Sequence, residues 1–216
     1  MTYSADINKE YALSHLEESD LNPNPLVQFQ IWLDEAIASG ITDANIMSLA
    51  TVDKAGRVSV RMISCQAIDD QNFKFVTNYN TDKSKALLDH NQASILFWWP
   101  ALERQVQISV IAQKMSDIES DEFFAKQDQE SQLAIILSKQ SQILVDKKSF
   151  INEYTQKRDE PATDLPPKRP EYWGGFLLKP TQFEFWQGGL HHLHDRLRYK
   201  QSETIDNSWD IVRLYP

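Results

Sequence analysis

The stretch IMSLATVDKAGRVSVRMISCQAIDDQNFKFVT, residues 46–77, decides the fold class that this sequence predicts. Three runs rich in β-branched and aromatic residues are separated by two polar turns, at 53–56 and 69–72. Short turns of this kind join antiparallel neighbours, whereas parallel strands need a long crossover connection. We therefore expect strands at 46–52, 57–67 and 73–77 in an antiparallel sheet.

More strands and several helices are expected on either side of this stretch. Apolar alternation predicts strands at 93–99, 104–115, 175–178, 182–187, 197–201 and 209–214. Helices are predicted at 25–40, 81–90, 116–126, 130–137 and 148–157, with a proline-rich loop at 159–170. The first helix has clear ends, since Asn24 can cap it, Pro25 suits its first position and Gly40 can close it. Ser116 with Glu119 is typical of a capping box.

This arrangement indicates an α+β fold, an antiparallel barrel with peripheral helices. The strand–helix alternation, GxGxxG and P-loop patterns of doubly wound nucleotide-binding folds are missing from the sequence. A length of 216 residues suits one domain or one subunit of a compact oligomer. We expect a polar, acidic N-terminal arm at 1–21 and a single domain at 22–216.

Composition excludes several classes of partner. A net charge of −9 and a pI near 5.0 argue against nucleic acid as the main partner, because phosphate backbones select basic surfaces. No signal-like pattern and no apolar run of about 20 residues is present, so we expect a cytoplasmic protein without a membrane partner. Cys65 is the one cysteine and lies in an apolar stretch, which favours a buried, inert thiol.

Two stretches could bind an anion. Arg61 heads the otherwise apolar run 61–64, where its guanidinium could bind a phosphate through paired donors or face solvent at a sheet edge. Thr77, Lys83 and Lys85 flank a predicted helix start. Backbone N–H groups and a lysine there form an anion site, but an ordinary capped helix with solvated lysines has the same pattern. The sequence alone leaves both alternatives open.

Two further stretches carry neutral donors, acceptors and histidines. Residues 103–105 and 138–141, with sequences ERQ and SKQS, offer groups suited to a heterocycle edge or to phosphate oxygens. Residues 185–196, FWQGGLHHLHDR, combine aromatic rings, two glycines and three histidines. Zinc is disfavoured here because the histidines follow no helical pair spacing, and we expect no metal.

Six motifs together resemble the pyridoxamine 5'-phosphate oxidase family. They are ATVD (50–53), LERQV (102–106), SKQS (138–141), WGGF (173–176), EFWQGG (184–189) and LHDR (193–196). The resemblance runs from about Tyr11 to Pro216 and implies the FMN-binding split β-barrel, as a homodimer with two FMN sites at the subunit interface. It also implies an oxidase that transfers a hydride from pyridoxamine or pyridoxine phosphate to FMN, while molecular oxygen becomes hydrogen peroxide.

The resemblance assigns site residues position by position. Arg61 and Lys83 match holders of the FMN phosphate, and Gln140 and Ser141 match residues that complete the flavin site from the partner subunit. The other matches to cofactor contacts are Met62, Ile63, Ser64, Val76, Thr77, Gln105, Trp186 and Arg196. The substrate contacts correspond to Tyr11, Gln66, Phe123, Gln127, Ser131, His192 and His194. The two histidines stand at the catalytic positions, where His194 is kept and His192 replaces an arginine of the family.

The substrate side departs from the family pattern. The family holds the substrate phosphate with a lysine, a tyrosine, an arginine and a serine, whereas this chain has Gln66, Phe123, Gln127 and Ser131. Losing two charge-assisted hydrogen bonds, worth roughly 1.5–3 kcal/mol each, would weaken phosphate binding by about two to four decades. Asp82 also replaces an arginine near the FMN phosphate, where it could act as a helix cap or face solvent.

Three functions therefore stay open at this point. The first is a pyridoxamine/pyridoxine 5'-phosphate oxidase with an altered phosphate grip. The second is a paralogous FMN oxidase for a less anionic ring, as in the phenazine-pathway oxidases of the same superfamily. The third is a flavin-binding protein without turnover.

Overall fold

The computed structural model describes residues 10–160, 167–202 and 208–216. In these ranges the helices are α1 (Pro25–Ala38), α2 (Asp82–Asp89), α3 (Asp117–Ala125), α4 (Gln129–Leu137) and α5 (Lys147–Asp159), with short 3-10 helices at Glu18–Asp20 and Leu190–His192. The strands are β1 (Ile46–Val52), β2 (Val58–Ser64), β3 (Ala67–Ile68), β4 (Phe73–Asn78), β5 (Gln92–Trp99), β6 (Arg104–Lys114), β7 (Trp173–Gln187), β8 (Asp195–Gln201) and β9 (Trp209–Arg213).

All strand pairs of the sheet are antiparallel. Their order is β2-β1-β5-β6-β7-β4-β3, and β8 and β9 continue from β7. The first half of β7 pairs with β4 and the second half with β8, while β6 runs along the other side of β7. The sheet curls into a half-barrel with the helices at its periphery, which confirms the predicted α+β split-barrel class.

The prediction of separate strands at 175–178 and 182–187 is wrong, because β7 is continuous. The register against β6 shifts between Ser109 and Val110, which leaves Thr181 as an extra residue beside Pro180. The Thr181 hydroxyl donates to the Ser109 carbonyl at 3.2 Å. Proline lacks an N–H and is tolerated in sheets at such bulges, so Pro180 bends the strand without ending it.

The predicted strand at 57–67 is also divided. It becomes β2 and β3, with Cys65 and Gln66 between them. Cys65 N donates to the Asn45 carbonyl and Gln66 N to the Lys74 carbonyl, so the chain leaves β1 here and joins β4. The change of partner, which a local pattern does not reveal, is the physical reason for the break.

The core forms where α1 packs on the sheet. The Phe29 ring lies 4.9 Å from that of Phe73 and 4.7 Å from that of Phe97, and the Trp32 ring lies 5.0 Å from that of Phe185. Edge-to-face pairs of this kind add about 0.5–1.5 kcal/mol each to the burial of their rings. The core therefore holds β4, β5 and β7 against one helix.

The predicted ends of α1 and α3 are confirmed. The Asn24 side chain accepts the N–H of Leu26, and Gly40 has a positive φ of +86°. Ser116 and Glu119 form the capping box that opens α3. Of the predicted loop at 159–170, α5 includes Asp159 and residues 161–166 lie outside the described part of the chain.

The described part of the N-terminal arm packs against the domain. Leu16 and Leu21 are buried in the core cluster. Glu103 accepts the N–H groups of Ala12 and Leu13 at 2.9 and 3.1 Å. Residues 1–9 of the predicted arm lie outside the described ranges. No helix within those ranges is long and apolar enough to span a bilayer.

Candidate cofactor and substrate site

A cavity of about 510 Å³ opens between the β2 edge, β4, α2 and α4. It brings together eight of the predicted cofactor residues: Arg61, Met62, Ile63, Ser64, Val76, Thr77, Lys83 and Gln140. Five lining residues were not predicted: Asn78, Ala134, Ile135, Ser138 and Trp173. Ser138 and Trp173 belong to the SKQS and WGGF motifs, and helical spacing from Ser138 could have found Ala134 and Ile135.

Arg61 is anchored by the sheet and does not simply face solvent. Its Nη1 donates to the Leu49 carbonyl at 2.8 Å and to Thr51 Oγ1 at 2.9 Å. These two bonds reach across to the neighbouring strand β1, and the side chain is half-buried. The guanidinium is therefore pre-oriented at the cavity wall.

Lys83 brings a second cation to the same cavity. Its pKa is lowered by burial and by the nearby Arg61 guanidinium, with Asp82 opposing the shift. Neither Arg61 nor Lys83 has a carboxylate within 4.0 Å among the residues that the structure describes. Two like charges held together in a half-buried site create a strong demand for an anion.

Asp82 does not cap α2. Thr81 is the N-cap and its Oγ1 accepts the Ser84 N–H, while Asp82 is the exposed first residue of the helix. The threonine is preferred because it is fully buried and also donates to the Asn78 carbonyl at 2.8 Å. Asp82 thus leaves the capping of the helix to Thr81 and remains exposed.

The Thr77 hydroxyl indicates whether this cavity suits a bound cofactor. Its Oγ1 is buried and has no hydrogen-bond partner, and the residue lines the cavity. A buried polar atom without a partner costs about 1–3 kcal/mol, so such an atom at a cavity wall indicates a missing ligand group. Two cations, an unsatisfied hydroxyl and the Trp173 ring suit a phosphate-bearing planar cofactor, and these residues fit FMN.

Ser141 lies beside this cavity. It lines an adjoining one of about 570 Å³ together with Gln140 and Lys139. Its φ of 70° is in the left-handed region that favours glycine. Gln140 and Ser141 are exposed on the loop between α4 and α5. The apolar side chains of Ile143 and Val145 are exposed on the same loop.

Like Ser141, three further predicted cofactor residues do not line the first cavity. Gln105, Trp186 and Arg196 lie side by side on β6, β7 and β8, where they are register partners. Arg196 donates twice to Glu184 Oε1, at 2.9 and 2.7 Å, and once to the Tyr215 carbonyl at 3.0 Å. Burial alone would raise the pKa of Glu184, but hydrogen bonds from Arg198 and Arg196 outweigh it and lower the pKa.

The predicted catalytic histidines lie next to this second group. The His194 ring is 4.7 Å from the Trp186 ring, and the Tyr11 ring packs on its edge at 5.8 Å. His194 Nδ1 accepts the Gly189 N–H at 3.1 Å, which leaves the ring proton on Nε2. Burial and the nearby His192 lower the pKa of His194, so the neutral form is favoured.

His192 is exposed and has an unusual backbone. Its ring lies 5.8 Å from the His194 ring. Both His191 and His192 have positive φ values, of 53° and 63°. Among the described residues, no group of three or more His, Cys, Asp or Glu side chains is arranged to hold a metal ion.

Three of the remaining predicted substrate residues, Phe123, Gln127 and Ser131, lie on α3, between α3 and α4, and on α4, whereas Gln66 lies elsewhere in the chain. Gln66 is exposed just after β2, and Phe123 is half-buried on α3. The Gln127 side chain donates to the Phe123 carbonyl at 3.2 Å. Ser131 Oγ donates to Asp128 Oδ2 at 2.7 Å, a partner that the sequence did not indicate.

Cys65 is buried, as predicted. Its exposed fraction is 5%, and burial raises the pKa of its thiol to about 11. The thiol is therefore protonated at neutral pH and unsuited to act as a nucleophile.

Comparisons with known proteins show which family this chain matches. Residues 33–157 match the family described as pyridoxamine 5'-phosphate oxidase, and residues 173–216 match the pyridoxine 5'-phosphate oxidase C-terminal dimerisation region. The chain is 41% identical over 213 residues to the pyridoxine/pyridoxamine 5'-phosphate oxidase of Gloeothece citriformis, covering 98% of each protein. It is 38% identical over 216 residues to the Burkholderia thailandensis enzyme of that name, covering 100% of each.

Solved structures agree with these matches. PhzG from Burkholderia lata, solved with tetrahydrophenazine-1-carboxylic acid, has a TM-score of 0.87 and 26% identity, covering 96% of this chain and 100% of that one. A pyridoxamine 5'-phosphate oxidase-related, FMN binding protein from Nostoc punctiforme has a TM-score of 0.72 at 15% identity, covering 91% and 100%, which shows the shared fold. The chain belongs to the pyridoxamine 5'-phosphate oxidase family.

Proposed function

We propose that this chain is an FMN-dependent oxidase that removes a hydride from a carbon attached to a substrate ring and a proton from the amine or hydroxyl group on that carbon. Bound FMN would supply the redox chemistry, because it accepts the hydride and passes two electrons and two protons to O2 to form H2O2. The observation that carries the proposal is the convergence of Arg61, Lys83 and the partnerless Thr77 hydroxyl on one cavity. The 41% identity to a pyridoxine/pyridoxamine 5'-phosphate oxidase supports it.

In this proposal the phosphate of FMN binds between Arg61 and Lys83. Each cation donates charge-assisted hydrogen bonds, worth about 1.5–3 kcal/mol apiece. The anion would also oppose the burial and the repulsion from Arg61 that together lower the pKa of Lys83. Thr77 would donate or accept at the cofactor's polar edge, which removes the cost of its buried hydroxyl.

A second copy of the chain would complete the site. Gln105, Trp186 and Arg196 match cofactor contacts but do not line the cavity that holds Arg61 and Lys83. The match of residues 173–216 to a dimerisation region supports a homodimer. The outer face of β2 exposes Val58, Val60 and Met62, an apolar row suited to such an interface.

His194 and Tyr11 would orient the substrate ring. Because His194 Nδ1 is occupied by the Gly189 N–H, its Nε2–H is the group that can donate to a substrate oxygen or nitrogen. The rings of Tyr11 and Trp186 both contact the imidazole. The exposed His192, whose ring lies 5.8 Å from that of His194, would be a second contact for the substrate.

Two substrates are candidates. Pyridoxamine or pyridoxine 5'-phosphate is favoured by the names of the relatives at 41% and 38% identity. A less anionic ring is favoured by the neutral Gln66, Phe123 and Gln127, and by the PhzG neighbour, whose bound compound is a carboxylic acid. A flavin-binding protein without turnover is the alternative to both.

The cofactor part is tested by comparing FMN with riboflavin, which lacks the phosphate. Replacing both cations, Arg61→Gln with Lys83→Met, should weaken FMN binding by about two to four decades, because two charge-assisted bonds are lost. Riboflavin affinity should change little. Fluorescence quenching of each flavin titrated into apoprotein measures both values.

Lys85→Met is the matched control, because Lys85 is exposed on α2 and does not line the cavity. It should leave both affinities unchanged. An equal loss for FMN and riboflavin in the double variant would contradict the assigned phosphate site. Peroxide release from pyridoxamine 5'-phosphate, pyridoxine 5'-phosphate and their unphosphorylated forms then tests turnover; flavin that none of the four reduces anaerobically would contradict the oxidase.

A further inference from the structure

One face of α4 continues from the cavity towards the helix N-terminus. Ala134, Ile135 and Ser138 line the cavity. Ser131 precedes Ala134 by three residues and Ile135 by four. Residues at this spacing share one helix face. Ser131, which the family resemblance matches to a substrate contact, therefore continues the face of α4 that lines the cavity.

At this place the N–H and the O–H of Ser131, the donors that a phosphate would need, are already used. Its Oγ donates to Asp128 Oδ2 at 2.7 Å and its N–H to Asp128 Oδ1 at 2.9 Å. Asp128 is the N-cap of α4, so its carboxylate occupies the end of the helix at which an anion would otherwise be favoured. The same two hydrogen bonds lower the pKa of Asp128, which keeps it ionised at neutral pH.

The surroundings do not compensate for this charge. Gln127 is neutral and its amide bonds the Phe123 carbonyl, and the Phe123 ring has no hydroxyl to offer. Lys74, which contacts α3, is held by Asp69 at 2.8 Å and by Glu119 at 3.3 Å. Lys126 lies over the Phe123 ring, with its Nζ 5.4 Å from the ring centre. The segment 126–131 thus carries one ammonium, that of Lys126, and two carboxylates, those of Asp128 and Glu130.

Resting on the proposed oxidase function, we propose that Asp128 is a specificity-determining residue. Its carboxylate disfavours binding of a phosphate dianion at the α4 end of the site. The substrate group that meets Ser131 and Asp128 is then an uncharged hydroxyl or an amine, both of which can donate to the carboxylate. A phosphate would have to displace the Asp128 carboxylate from Ser131 and would repel it. The substrate is accordingly an unphosphorylated ring amine or alcohol.

A purely structural cap is the competing explanation, and the choice of variants separates the two. Asn and Ser cap helices about as well as Asp, but both are neutral. Asp128→Asn and Asp128→Ser should therefore retain the fold while they remove the charge. Glu130→Gln is the matched control, since it removes one negative charge a single residue before Ser131, at a position whose charge acts on Arg158 of α5.

The measurement is kcat/KM of the flavin-loaded protein for pyridoxamine 5'-phosphate divided by that for pyridoxamine. The wild type should favour pyridoxamine, and both Asp128 variants should raise the ratio by about tenfold, because a carboxylate no longer repels the dianion. Glu130→Gln should leave the ratio within about twofold. Binding of pyridoxal 5'-phosphate and pyridoxal, followed by the change in the flavin spectrum, should shift in the same way without turnover.

The outcomes distinguish a failure of the role of Asp128 from a failure of the proposed oxidase function. A wild type that binds FMN and prefers pyridoxamine 5'-phosphate, with the ratio unchanged in both Asp128 variants, overturns the role of Asp128 and leaves the oxidase standing. A rise of the same size in Glu130→Gln also overturns it, because a general loss of negative charge would then suffice. A protein that binds no flavin fails the proposed function itself.

Discussion

At the residue scale, the surroundings of His194 determine its tautomer and its charge. Sequence alone places three histidines within four residues, at 191, 192 and 194. The structure gives them different surroundings, since His191 and His192 are exposed and His194 is half-buried against Trp186. The Gly189 N–H then fixes the His194 tautomer. A neutral donor is thereby produced from a residue that would otherwise titrate near physiological pH.

We expect His194 to titrate below its ordinary pKa of 6.5, because burial and the neighbouring His192 disfavour its charged form. The folded state then holds the proton less tightly than the unfolded state. Its contribution to stability is complete above pH 6.5 and is lost as the pH falls towards the folded pKa. NMR titration of the imidazole signals measures this, with His194→Gln as the variant that lacks the signal; a midpoint at or above 6.5 would contradict it.

At the scale of single elements, β7 depends on two glycines that leave no room for a side chain. A Cβ on Gly175 would lie 2.2 Å from Met115 Sδ and 2.9 Å from the Phe75 carbonyl oxygen. A Cβ on Gly174 would lie 2.3 Å from the Tyr79 hydroxyl. The WGGF motif is therefore explained by the close approach of β7 to β4 and to the end of β6. It places Trp173 at the cavity wall.

Gly175→Ala should destabilise the fold by about 1–3 kcal/mol, because the new methyl group must displace the Phe75 backbone as well as Met115. Chemical denaturation measures the free energy of unfolding. Lys179→Ala, an exposed position on the same strand, should change it by less than about 0.5 kcal/mol. Equal stabilities of Gly175→Ala and wild type would show that β7 can move away from β4.

For the whole molecule, Arg213 joins the N-terminal arm to the last strands. Its guanidinium contacts Glu17 at 2.9 Å, Glu18 at 2.8 Å and Asp195 at 2.7 Å, and it also donates to the Leu16 carbonyl at 3.0 Å. Asp195 Oδ2 in turn accepts the Leu16 N–H at 3.0 Å. The acidic residues of the arm, which lower its attraction for anions, are therefore also the groups that fasten it.

Arg213→Ala should release this arm, because Glu17, Glu18 and Asp195 would then repel one another without a cation between them. Amide hydrogen exchange should speed up at residues 10–21 and stay unchanged in β5 and β6. Arg57→Ala is a suitable control, as it removes an exposed arginine paired with Asp53 in a hairpin turn. Protection of the arm that survives Arg213→Ala would mean that burial of Leu16 and Leu21 is enough to hold it.

The sequence by itself determined those features that depend on neighbouring residues. The Asn24–Pro25 start of α1, the Ser116–Glu119 capping box and the antiparallel strand pattern are set by local hydrogen bonding and side-chain alternation. The six motifs were also sufficient to identify the family, because related chains carry the same motifs. The single domain and the individual site residues stay predictions, although the cavity gathers eight of the latter.

Only the tertiary structure decided the features that depend on partners far along the chain. The continuity of β7 through Pro180 requires the bulge against β6, and the division at Cys65 requires β4. The ion pairs of Arg213 with Glu17 and Glu18 require the N-terminal arm to pack beside β9. The physical reason is common to all three: burial, register and charge are properties of the assembled chain, whereas caps and turns are complete within a few residues.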